Sequence, residues 1–228
     1  MSKRSLWRCS AMIIMAMVLF PIPEPCASVD TTPVAVQRTD TLTIRQNKPS
    51  PPFPDALAMP AQGRLLVATK KLQDPRFKEA VVFLVQYSSS GAMGLIINRP
   101  SKVRLADVLM DLPALKKRQD VVFYGGPVEG RRMFLLIRSS SMVNESVKVL
   151  GDIHMSTSKT ILEHLIAEKV SIPFRSYAGY AGWAPGQLDA EIAHGDWQVA
   201  KADAQIIFEQ NPALLWPRLI RDSLEIQV

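Results

Sequence analysis

The chain has 228 residues, 47% of them hydrophobic and 21% charged, and a formal net charge of +6. That composition fits an ordinary globular protein, with enough chain for one sizeable core and too little for two large ones. Three positive charges, Lys3, Arg4 and Arg8, sit at the very start, and both cysteines, Cys9 and Cys26, lie there too; the body is therefore only mildly basic and excludes a disulfide framework, a cysteine nucleophile and a thiolate metal site.

Residues 1–28 follow the three-part plan of a secretory signal: basic residues, the apolar run Ala11 to Phe20, then the small residues Cys26, Ala27 and Ser28. The apolar run is about half of the ~20 residues a membrane-crossing helix needs. Pro21, Pro23 and Pro25 stop it from growing. Cleavage near Ala27 or Ser28 is expected, giving an exported, periplasmic protein without a transmembrane span. The alternative is initiation at Met59, which would make the protein cytoplasmic. Residues 29–60 carry Pro33, Pro49, Pro51, Pro52, Pro54 and Pro60 with almost no periodicity and read as an extended linker. The folded domain is expected over residues 61–228.

Arg64 to Thr69 reads as a short apolar strand. Ala80 to Tyr87 is a β-branched and aromatic run, and Gly94 to Asn98 is a third strand that pairs with it across a serine-rich loop, ending at Pro100. Leu105, Val108, Leu109 and Leu112 recur at helical spacing and predict a helix that Pro113 terminates. Val121 to Tyr124 and Met133 to Arg138 are strands, with Gly125-Gly126-Pro127 after the first and a polar turn at Glu129 to Arg132 before the second. Thr157 is a candidate cap for a helix that places Ile161, Leu162, Leu165 and Ile166 on one face. Phe174 to Tyr180 is strand-like, Gln187 to Ala193 helical and closed by Gly195, Trp197 to Ala200 a strand, and Pro212 to Leu224 a helix. Hairpins first and helices later point to α+β rather than to a doubly wound parallel sheet.

Five segments carry a family resemblance: L-L-V-A with D-P-R-F, Gly91 to Pro100 (GAMGLIINRP), Tyr124 to Val128 (YGGPV), Thr157 to Leu162, and Gly179 to Leu188 (GYAGWAPGQL). Between Gly63 and about Arg218 the chain resembles the AlgH/YqgE family of bacterial proteins. The resemblance implies a single α+β domain with a bifurcated, mainly antiparallel sheet curled into a partial barrel, and no established enzymatic activity. Family members usually begin near the place of Met59 and look cytoplasmic, so the signal-like segment is a departure that weakens any inherited regulatory role.

The candidate chemistry centres on the glycine-rich loops. Gly125, Gly126, Gly179, Gly182 and Gly186 let the backbone approach a ligand closely, as phosphate-cradling loops do, or simply form tight turns between packed strands. Around them Asn98 and Arg99 at a strand end, and Tyr180, Trp183 and Gln187 near a helix start, offer paired donors and acceptors and an anion fork. The competing reading has Asn98 and Arg99 satisfying backbone groups and Trp183 filling the core. Neither glycine loop is a P-loop, and neither has dinucleotide-binding spacing. His154, His164 and His194 lie in no metal- or protease-type spacing, and no G-x-S-x-G elbow holds a serine. Glu191 lies one turn from Gln187 and is expected to pair with it. Lys116, Lys117 and Arg118 read as a solvated surface, with no nucleic-acid partner. The sequence thus favours a non-enzymatic binding domain contacting a small molecule or a protein, with no cofactor and no metal. Its alternatives are an enzyme acting on a small anionic group through Arg99, and a cytoplasmic regulatory protein started at Met59.

Overall fold

The computed structural model describes residues 59–167 and 172–225. The signal-like segment and nearly all of the linker lie outside these residues.

Among the described residues ten strands, β1 (Arg64–Ala68), β2 (Val81–Ser88), β3 (Gly91–Ile96), β4 (Pro100–Arg104), β5 (Val121–Tyr124), β6 (Val128–Arg138), β7 (Val147–Leu150), β8 (Ile153–Ser156), β9 (Phe174–Trp183) and β10 (Trp197–Lys201), form one sheet in the order β10-β1-β2-β3-β9-β6-β8-β7, with the β4-β5 ribbon joined to it through β9. β1 (Arg64–Ala68), β2 (Val81–Ser88) and β3 (Gly91–Ile96) make an antiparallel meander, and β10 (Trp197–Lys201) returns beside β1 with Arg64 opposite Lys201. The first five residues of β2 are all buried, because both faces of the sheet are covered there; such strands read as continuous apolar runs rather than alternations. β9 (Phe174–Trp183) is the hub. Its last residues pair with β3, its first with β5 (Val121–Tyr124) in parallel, and β6 (Val128–Arg138) runs antiparallel along most of it. Splitting its pairing between β3 and β5 bifurcates the sheet, which curls into a half-barrel with a few short helices packed on it. This is the α+β architecture expected from the sequence.

Apolar residues gather in three clusters. Leu65, Val67, Phe83, Leu95, Phe134 and Tyr177 point into the curl, where they meet Ile207 of α4 (Ala204–Ile207) and Leu215 and Leu219 of α5 (Leu215–Glu225). On the opposite face Leu66, Val82, Leu84, Trp183 and Trp197 meet Leu188 of α3 (Gln187–His194). The third cluster sets Leu135, Ile137 and Phe174 against Leu105 of α1 (Leu105–Val108) and against Ile161, Leu162 and Leu165 of α2 (Lys159–Ala167). Among the described residues no helix is long and apolar enough to cross a membrane.

Several boundaries differ from the sequence-based expectation. Pro100 opens a strand, β4 (Pro100–Arg104), instead of ending one; the first position of a short edge strand tolerates a residue that cannot donate to the ladder. The helix predicted to reach Leu112 stops at Val108, and Pro113 begins a 3₁₀ turn to Lys117. Glu129 to Arg132 is not a turn between strands but lies within β6, where the register shifts between Val128 and Met133 and Glu129 takes a positive φ of 47°. Such a bulge absorbs polar residues without breaking the strand. Ser158, not Thr157, caps α2: its hydroxyl accepts from the Ile161 amide at 3.3 Å. The C-terminal helix proper begins at Leu215, after a 3₁₀ turn at Pro212–Leu214. The short strand β8 (Ile153–Ser156), which follows β7 (Val147–Leu150), and the helix α4 have no counterpart among the elements expected from the sequence.

Candidate functional site

The Asn-Arg-Pro corner lies between β3 and β4 and is occupied with backbone. Asn98 is 9% exposed; its Oδ1 accepts from the Val81 amide at 2.9 Å and its Nδ2 donates to the Glu79 carbonyl at 2.9 Å. Glu79 has a positive φ of 57°, so the amide holds a bend that its own residue disfavours. Arg99 donates to the carbonyls of Arg76 and Lys78. Burial lowers its pKa, with the positions of Tyr124 and Glu79 opposing. Together the two side chains fasten the 3₁₀ turn at Pro75–Phe77 to the sheet.

The glycines divide into two groups. A Cβ on Gly125 would stand 2.2 Å from the Gly179 carbonyl oxygen, one on Gly126 would stand 2.1 Å from the Tyr180 carbonyl carbon, and one on Gly179 would stand 2.5 Å from the Gly126 oxygen. These three let the β5–β6 connection lie directly on β9. Gly186 has nothing within 4 Å of its Cβ position and takes a left-handed φ of 73° before α3. Gly182 is solvent-exposed, and its Cβ would meet chiefly the edge of the Tyr180 ring at 3.1 Å.

Trp183 and Gln187 belong to a network that the sequence reveals only in part. The indole N–H groups of Trp183 and Trp197 both donate to Glu191 Oε2 at 2.8 Å. Gln187 Nε2 donates to Glu191 Oε1 at 2.8 Å, and Gln187 Oε1 accepts from the Ala184 amide at 3.1 Å. Phe77 stacks on Trp183 with centroids 6.3 Å apart, and Trp197 meets Trp183 edge to face at 5.9 Å. Nothing near Glu191 in the sequence marks it as the acceptor for two indoles, eight positions before it and six after it, on different elements.

A hollow of about 430 Å³ lies over β3 and β9. Its walls include Gln86, Ser90, Gly91, Met93, Val128, Tyr180, Gly182 and Trp183. It therefore brings together Tyr180, Gly182 and Trp183. Asn98, Arg99, Gly125, Gly126, Gly186 and Gln187 are not among its walls.

Of the histidines, His154 is buried within β8 with Nδ1 3.4 Å from the Ser146 hydroxyl, which itself lies 2.5 Å from the Val143 carbonyl and donates to it. That geometry leaves the serine oxygen accepting from the ring, the reverse of what activating a nucleophile requires. His194 lies 2.9 Å from Asp196. Among the described residues no three His, Cys, Asp or Glu side chains gather as a metal-binding group. Two features escaped the sequence reading. Arg118, grouped there with a solvated surface, is half-buried, forks onto Asp120 and lies over the Phe174 ring at 5.2 Å. Arg175 interrupts the apolar run of β9, and that break in pattern was the available signal.

Comparison with known proteins places this geometry among relatives. A family model described as AlgH-like matches residues 65–226. The AlgH protein of Pseudomonas aeruginosa strain PAO1 is 38% identical over 152 residues, covering 64% of this chain and 80% of that protein. A protein of Paracoccus denitrificans is 36% identical over 161 residues, covering 68% and 85%. The solution structure of the Pseudomonas aeruginosa AlgH protein superposes with a TM-score of 0.61 at 33% identity, over 73% of this chain and 89% of that one. A crystal structure from Corynebacterium diphtheriae gives the same TM-score at 24% identity, over 72% and 87%, and speaks for the fold alone.

Proposed function

The chain belongs to the AlgH-like family, and from that premise we propose that it works as a non-enzymatic binding domain whose contact surface is the hollow over β3 and β9. The observation that carries this reading is the rigidity of the hollow's aromatic wall. Trp183 is fixed by its bond to Glu191 and by its stack on Phe77, while Tyr180 is set edge to face against Phe134 at 5.8 Å. An aromatic group held in place before binding, as the half-buried Tyr180 is, presents apolar area at little entropic cost, and the neighbouring Gln86 and Ser90 side chains supply polar groups. Gly182 keeps the surface between them open.

The reading extends to location: the signal-like pattern of residues 1–28 supports work in the cell envelope. N-terminal sequencing of the natural protein tests this. A first residue near Ser28 supports export; Met59 would transfer the domain to the cytoplasm and favour a regulatory role there.

The binding reading is tested by melting temperature against a panel of metabolites and short peptides, on the parent and on Gly182→Leu. The added side chain grows from an exposed position whose nearest neighbours are the Tyr180 ring edge and a Val128 methyl, so it is expected to fill the hollow and leave the fold intact. A ligand at about 100 times its Kd adds roughly 2.7 kcal/mol to stability, a shift readily measured. Ligands that stabilise the parent and not Gly182→Leu support the site. A panel without effect, or one acting equally on both proteins, removes it.

A further inference from the structure

A second cavity, outside the hollow and independent of the reading above, opens where the parallel strands β5 and β9 begin. Val122 stands opposite Ser176, and the chain reaches these strands through Arg118–Asp120 on one side and Ile172–Pro173 on the other. Phe208, Gln210 and Pro212 complete the walls. The volume is about 560 Å³, within the range of roughly 300–1,000 Å³ typical of small-molecule sites.

The charges in these walls do not cancel. Arg118 is matched by Asp120, with Nε 2.5 Å from Oδ2, and the two form a neutral pair. Arg175 has no such match. Its guanidinium lies over the rings of Phe123 at 4.9 Å and Phe208 at 5.7 Å, and it donates to the carbonyls of Ile207 at 2.9 Å and of Glu209. The Glu209 carboxylate is engaged by Arg218 at 3.1 Å, and among the described residues Arg175 enters no ion pair. Two carbonyls use two of its five N–H groups, and the buried Tyr177 hydroxyl takes up a share of the rest. What remains is a half-buried, pre-oriented cation with donors to spare, framed by aromatic rings. Alternation along β9 sends the Ser176 side chain to the other face, so its hydroxyl is given no part.

This juxtaposition dictates the ligand class. One uncompensated positive charge favours a single negative one, because a dianion would carry an unpaired charge into a partly enclosed site. A carboxylate matches the guanidinium fork. The rings of Phe123 and Phe208 and the flanking prolines suit a flat apolar body. We infer that the cavity at the start of β5 and β9 binds a small planar organic monoanion of the aromatic carboxylate type, through Arg175.

Benzoate, its neutral isostere benzamide, and inorganic phosphate serve as probes, titrated into the full-length chain while its backbone amide resonances are followed. Benzoate is expected to give saturable shifts at residues 121–123 and 174–176, weakening as salt is added. Benzamide should bind at least about tenfold more weakly, the loss expected for one charge-assisted contact. In Arg175→Met, which keeps an unbranched apolar stem and loses the charge, benzoate should likewise weaken about tenfold or more. The parent comparison of benzoate with benzamide decides the matter even if that variant does not fold. Equal affinity for the two probes, no saturable shift up to about 50 mM benzoate, or benzoate shifts centred on residues 180–183 instead would overturn the proposal. Phosphate saturating the same amides as tightly as benzoate would show that charge alone is read, and would equally overturn it.

Discussion

Two sets of glycines lie within a few residues of each other on β9 and its neighbours, and they do opposite work. At Gly125, Gly126 and Gly179 the missing side chain is a condition of contact: backbone atoms of the facing segment stand 2.1–2.5 Å from where a Cβ would be. At Gly182 and Gly186 the missing side chain faces open space or a movable ring edge. The first set seals the bifurcation of the sheet, and the second leaves its outer face uncovered. A glycine-rich stretch is therefore not one kind of evidence. Whether it signals tight packing or an accessible surface depends on what lies across from it, often from a distant part of the chain.

The comparison breaks most visibly at the sealed end. Gly126→Ala is expected to cost about 3–5 kcal/mol or to prevent folding, because its Cβ would meet the Tyr180 backbone and cannot be relieved by rotating a side chain. Urea unfolding of the variant measures this; a loss under about 1 kcal/mol would show that the two segments are not in contact. Asn98→Ala comes next, at roughly 2–3 kcal/mol, since it strands the buried Val81 amide and the Glu79 carbonyl together. Glu191→Gln follows, at about 1–2 kcal/mol, because one amide oxygen must replace a carboxylate that accepts from two indoles and from Gln187. Its intrinsic tryptophan fluorescence should shift as well, and an unchanged spectrum with unchanged stability would remove Glu191 from the support of the hollow.

These residues also mark what the sequence could and could not reveal. The hairpin of β2 and β3, the apolar face of α2 and the Gly195 stop of α3 were readable because each depends on local spacing: periodicity, a serine-rich bend, a left-handed cap with φ of 87°. The pairing of Glu191 with Gln187 was readable for the same reason, four positions on one helix. The strands β4, β7 and β8 were not. They are short, and β4 exposes three of its five residues and β7 two of its four, so they carry little of the alternation that betrays a strand. The partners of Asn98 lie 17 and 19 residues upstream, and nothing at Asn98 itself distinguishes an amide that holds backbone from one that waits for a ligand. The cavity beside Arg175 depends on α4 meeting the start of β9, a contact between segments 32 to 34 positions apart that no window along the chain contains.

The smallest effect is the sharpest test of the open set. Gly182 lies in a strand, where glycine costs roughly 0.5–1 kcal/mol relative to alanine through chain entropy. Replacing it recovers that amount and asks only that the Tyr180 ring edge, 3.1 Å from the new methyl, give way by a few tenths of an ångström. The ring is partly exposed, and a shift that small leaves its edge-to-face contact with Phe134 in place. Gly182→Ala should therefore unfold within about 0.5 kcal/mol of the parent, on whichever side of it. A loss near that of Gly126→Ala would mean that Gly182 is packed as its neighbours are, and the outer face of β9 would then be a closed surface with no place for a partner.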